Sequence, residues 1–163
     1  MGLDRARPAA VAAAMLLPFA AAWAQVPADA CGLMTSDEFE ALTGKTEYSE
    51  PTGMPWGTGT VCGFDNGQIV LFTGEDSRVA FDGLLTSFGQ EDLPRTPVDG
   101  LGEGAFALFF DPESEYQDHG AFVVFGAGPP TVAVTVYADE GEPAESALPE
   151  ALAVGQAVAA KLP

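Results

Sequence analysis

Positive charge is what this chain most lacks. Its 163 residues include 6 lysines and arginines against 24 aspartates and glutamates, a formal net charge of −18. No stripe of basic side chains exists that would displace counterions from a phosphate backbone, so nucleic acid and anionic membrane surfaces are excluded as partners. Such a surface suits a basic partner, divalent cations or plain solubility in a salty medium, because net charge governs association and solubility and not the fold.

Histidine is nearly absent as well, with His119 the single example. Nucleophilic hydrolysis needs an activated Ser or Cys beside a base, usually a histidine oriented by a carboxylate. His119 adjoins Asp118 in a polar stretch that reads as a loop, and no Gly-x-Ser-x-Gly sequence accompanies it. The two cysteines, Cys31 and Cys62, lack the Cys-x-x-Cys spacing of a catalytic redox pair. Nothing repeats at a fixed period. With no catalytic or cofactor-binding constellation in view, a non-enzymatic role is the expectation.

What is present begins at the N-terminus. Arg5 and Arg7 precede an apolar stretch over 9–23, which runs into Ala22-Trp23-Ala24, a small-x-small cleavage site for signal peptidase. Residues 1–24 therefore read as a signal peptide cut before Gln25, with a periplasmic or secreted destination. A retained anchor is the alternative, weakened by the marginal length of the stretch and by Pro18 within it. Cys31 follows Ala28-Asp29-Ala30, and the charge beside it makes a poor lipobox. Cleavage takes Asp4, Arg5 and Arg7 away and leaves one domain, 25–163, of 139 residues at a formal charge of −19. Only Lys45, Arg78, Arg95 and Lys161 remain as bases. In an oxidising compartment the even cysteine count predicts a Cys31–Cys62 bridge. It would close a loop of about 30 residues and contribute roughly 3–4 kcal/mol in the chain-entropy model.

The order of elements follows from local signals. Thr35 with Glu38 makes a capping box, Met34 can staple against Phe39, and Gly44 suits a C-terminal cap, predicting a helix over 36–43. Residues 45–59, rich in Gly, Pro and Thr, read as a long irregular connection. Strands over 60–64 and 69–73 flank Asp65-Asn66-Gly67, which predicts a hairpin with a type I′ turn. A second helix starts at Asp76 or Ser77, carries Phe81, Leu84, Leu85 and Phe88 on one face, and stops at Gly89. After a proline-punctuated linker to Pro97 come strands over 105–110, 121–125 and 131–137, then a helix over 147–161. The expected fold class is α+β: a two-layer sandwich with an antiparallel sheet of about five strands and three helices, in the order α-β-β-α-β-β-β-α. The uncovered face of that sheet would be the more exposed one.

Cys31-Gly32-Leu33-Met34-Thr35 leading into an acidic helix, Cys62-Gly63-Phe64 on the next strand, the run from Val98 to Phe106 and a final alanine-rich helix resemble a group of small exported bacterial domains of unknown function, many of them lipoproteins. The resemblance covers most of the mature chain and implies paired cysteines. It brings no catalytic residues with it. This chain departs from the group in lacking a lipobox before Cys31.

Two places are candidates for binding. Met54 and Trp56, in the 45–59 segment, could offer an apolar contact to a protein or small ligand, or simply cover the sheet edge. Asp111, Glu113, Glu115, Asp118 and His119 form the densest group of hard ligands, and Ca²⁺ is the cation they would suit. The glycine and distal glutamate of an EF-hand loop are missing at the required offsets, so a solvated hairpin tip is the other reading. Gly100-Leu101-Gly102-Glu103-Gly104 superficially suggests a nucleotide loop. It precedes a strand where a phosphate loop would follow one and open a helix, so a tight turn explains it better. The leading expectation is an exported, non-enzymatic domain that binds a protein or small ligand and needs no cofactor. The alternative is a Ca²⁺-binding or salt-adapted acidic module centred on the 111–119 loop.

Overall fold

The computed structural model describes residues 27–87, 89–110, 119–126 and 128–163. A 3₁₀ turn over Ala30–Gly32 leads into helix α1, Ser36–Thr43. The capping box is formed: the Thr35 hydroxyl accepts from the Glu38 N–H, and the Glu38 carboxylate accepts from the Thr35 N–H at 2.9 Å. Gly44 ends the helix at φ 69° and donates its N–H to the Glu40 carbonyl. Met34 and Phe39 are both buried in one cluster, and Phe39 stacks on Phe64 with ring centroids 4.4 Å apart.

Strands β2, Gly59–Phe64, and β3, Gly67–Phe72, form the expected hairpin around a two-residue loop, Asp65 and Asn66. The type I′ turn is not there. A type I′ turn needs positive φ at both loop residues, and among the described residues only glycines have positive φ. Gly67 opens β3 instead, where a Cβ would collide with the Thr135 carbonyl oxygen and come within 2.8 Å of the Phe39 ring. Close approach explains this glycine, not turn geometry. The loop is held from outside. The Glu47 carboxylate accepts from the Asp65 and Asn66 N–H groups, while the Asp65 carboxylate accepts from those of Tyr48 and Ser49.

The sheet has seven antiparallel strands, in the order β1-β2-β3-β7-β6-β5-β4, where about five were expected. The central strands β5, Phe106–Phe110, β6, Gly120–Phe125, and β7, Thr131–Tyr137, lie where β-branched and aromatic residues predict them. The two additions are the edges: β1, Thr52–Trp56, inside the segment read as irregular, and β4, Thr96–Pro97, at the end of the linker. Both contain proline, which reads as a break and yet is tolerated on an edge strand, where an N–H can face outward.

Helices pack on both faces of the sheet, which corrects the single helical layer expected. One face carries Gly53, Cys62, Ile69, Val134, Val123 and Ala107 in a cross-strand row. This face is covered by α1 and by α3, Leu148–Ala159. Gly155 lets α3 settle closely, since a Cβ there would lie 3.2 Å from Leu101 and 3.5 Å from Phe125. The other face carries the alternating row Met54, Val61, Val70, Ala133, Val124 and Phe106. Phe81 and Leu85 of α2, Ser77–Ser87, are buried against it. Phe88, expected on the same stripe, lies outside the described residues, as do residues 1–24, which the sequence predicts to be a signal peptide.

Candidate functional site

The first 3₁₀ turn is fastened to the sheet rim by two different bonds and capped by a third. Cys31 is bridged to Cys62 of β2, the pairing expected. The Ala30 N–H donates to the Thr60 hydroxyl at 2.9 Å, and Asp29 caps the turn by accepting from the Gly32 N–H at 3.2 Å. From the C-terminal side, the Lys161 ammonium donates to the Leu33 carbonyl and to the Glu38 carboxylate, all at 2.8–2.9 Å. The Lys161 hydrogen bond, with that of the Thr35 N–H, holds the Glu38 carboxyl below its ordinary range.

Beside this fastened turn lies a concavity of about 250 Å³ lined by Asp29, Gly53, Met54, Pro55 and Thr60. Met54 is 53% exposed, one of the few large apolar side chains facing solvent. Trp56 differs. It is half-buried and packs against the α2-side cluster with Phe72 and Phe81, so of the two predicted contact residues one presents itself and the other anchors the strand. The free edge of β1 is a poor template for a further strand, because Pro55 has no N–H to donate. Asp29, Gly53 and Thr60 had escaped sequence reasoning. They carry no local signature, and only the disulfide-closed loop brings 29 next to 53 and 60.

The acidic candidates fare differently. Asp111, Glu113, Glu115 and Asp118 lie outside the described residues. His119 is described. Its Nε2 lies 2.8 Å from the Glu142 carbonyl oxygen and its own carbonyl accepts from Ala138, so it braces the segment after β7. Gly100, Gly102 and Gly104 all have positive φ, 74–90°, in the turn before β5, which is the role expected of them.

The four bases are each placed in a distinct way. Lys45, only 11% exposed, contacts Asp139 and lies 3.8 Å from Glu150. Lys161 holds Glu38. Arg95 pairs with Asp82 at 3.0 Å. Among the described residues, Arg78 donates to the Gly126 carbonyl alone, at 3.3 Å, and the guanidinium carbons of Arg78 and Arg95 each lie 4.8 Å from the centroid of the Phe106 ring.

The fold and site together define a disulfide-fastened antiparallel α+β domain with a small concavity at one sheet edge. No family model, no curated protein and no solved structure matches this chain. Among the described residues, no helix is long and apolar enough to cross a membrane. The disulfide is consistent with an oxidising, extracellular compartment.

Proposed function

We propose that this protein is an exported, non-enzymatic binding module acting in the periplasm or outside the cell, with its contact surface centred on Met54. The observation that carries the reading is the exposed Met54 thioether at the lip of the concavity, on a rim fastened by the Cys31–Cys62 bridge. Methionine is a flexible, polarizable contact residue, and a rim fixed in advance loses little freedom on binding. The concavity, at about 250 Å³, falls below the roughly 300–1,000 Å³ typical of small-molecule pockets. It fits one inserted side chain, so a protein partner is favoured over a free ligand. The net charge of −18 favours a basic or neutral partner and disfavours nucleic acid and anionic membranes.

The test is affinity capture from the host's exported fraction with wild-type and Met54→Glu protein, paired with binding of the purified partner. Met54→Glu should abolish capture while leaving the urea midpoint unchanged, since the side chain is exposed. Equal capture by both would remove the assignment of the surface.

A further inference from the structure

The Phe106 end of the α2-side row presents a second, unrelated feature. Among the described residues, Arg78 is the one lysine or arginine with no described carboxylate within ion-pair distance. Asp82 sits one helical turn along α2 from Arg78, at the i, i+4 spacing that suits a pair. It is instead bound to Arg95. Asp82 thus serves Arg95 and leaves Arg78 without a described carboxylate, and because each guanidinium carbon lies 4.8 Å from the same ring centroid the two are at most roughly 10 Å apart. The cluster is one negative charge short in a molecule that has negative charge in excess. Arg95 is 41% exposed, and only one of Arg78's five N–H donors has a described acceptor, so both forks retain donors for a ligand.

We propose that Arg78 and Arg95, gathered at the Phe106 ring, bind a monoanionic carboxylate. The planar guanidinium fork matches a carboxylate's two oxygens. A single negative charge completes the cluster, whereas the second charge of a phosphate dianion would meet the repulsion of the surrounding acids. The carboxylate can come from a small molecule or from the C-terminus of a peptide. This site is separate from the Met54 surface: four strands lie between β1 and β5, so either assignment can fail without the other.

The experiment is an NMR titration of the full exported chain, following the arginine Nε–H signals, with sodium acetate added against sodium chloride at constant ionic strength. Saturable shifts at Arg78 and Arg95 are expected with acetate, with weaker binding of inorganic phosphate. Arg78→Met should weaken acetate binding about tenfold or more. Arg78→Lys, which keeps the charge and loses the fork, should weaken it too and decides the matter if Arg78→Met does not fold. Asp82→Asn removes the internal competitor and should tighten binding, an outcome that a merely structural clamp would not produce. A peptide with a free C-terminus that binds more tightly than acetate, and not when amidated, would assign the carboxylate to a chain end; equal affinity would assign it to a small molecule. Shifts reproduced by chloride, a preference for phosphate, or unchanged binding in a folded Arg78 variant would overturn the proposal.

Discussion

The two faces of the sheet differ in how much of their packing is aromatic. The face under α1 and α3 is largely aliphatic, with Ala107, Ala121, Val123 and Val134 buried beneath Ala151 and Gly155 of α3, and its buried rings are the Phe39–Phe64 stack and Phe125. The face under α2 is aromatic, with Phe72, Phe81, Phe106 and Phe122 buried together. Small residues let two helices come down close to the strands, whereas one helix of 11 residues must fill its space with rings. The means of fastening differ accordingly. The first face is secured at its rim by the disulfide and by the Lys161 contacts. The second is secured by ring contacts around Phe81, by a buried Ser77–Thr131 hydroxyl pair at 2.9 Å, and by the two arginines. One face is therefore tied covalently along the chain, and the other depends on a single hub.

By that contrast, the hub is the costliest place to cut. Phe81 meets Phe72, Phe106 and Phe122 at centroid distances of 6.1–6.5 Å. Phe81→Ala should cost about 3–5 kcal/mol in urea unfolding, with loss of the aromatic near-UV signal. A cost under about 1 kcal/mol would mean that α2 contributes little to the second face. Next in size is the covalent tie. Cys31→Ala with Cys62→Ala should cost about 3–4 kcal/mol. Amide exchange should quicken at Ala30, whose N–H is held by Thr60, before it quickens in α2. Simultaneous loosening of both faces would break the comparison.

The smallest effect is acid. The carboxyls of Glu38 and Asp65 are both held below their ordinary range, Glu38 chiefly by Lys161 and Asp65 chiefly by the Tyr48 N–H. A depressed folded value contributes stability that is present above the unfolded value and is lost as pH falls through the folded one. The urea midpoint should therefore decline below about pH 4, and Glu38→Gln with Asp65→Asn should flatten that limb. An unchanged slope would show that these surface contacts carry no linkage. Calorimetric titration with Ca²⁺ bears separately on the acidic residues 111–119: no heat and no melting shift would remove the cation reading.

Legibility in the sequence followed range. Helix α1 matched its expected 36–43 span because Thr35, Glu38 and Gly44 act within one turn of their own backbone. The β2–β3 pairing was legible from Asp65-Asn66-Gly67, although for a partly mistaken reason: Gly67 answers to Thr135 and Phe39, remote in sequence, and not to the turn. Edge strands β1 and β4 were illegible because Pro55 and Pro97 look like breaks until the neighbouring strand is known. In the candidate site, Met54 was legible as an apolar residue in a polar stretch, while Trp56 could not be told apart from it by composition.

What the sequence by itself determined is the acidic surface with four bases after residue 24, the paired cysteines, the helix caps and the alternation of the central strands. All of these depend on neighbours a few residues away or on simple counting. Only the tertiary structure decided that both sheet faces are covered, that Met54 faces solvent while Trp56 turns to the core, and that two of the four bases meet at one ring. These outcomes depend on strand order. An antiparallel sheet assembled as β1-β2-β3-β7-β6-β5-β4 sets side by side residues such as Gly67 and Val136, whose proximity no local periodicity can express.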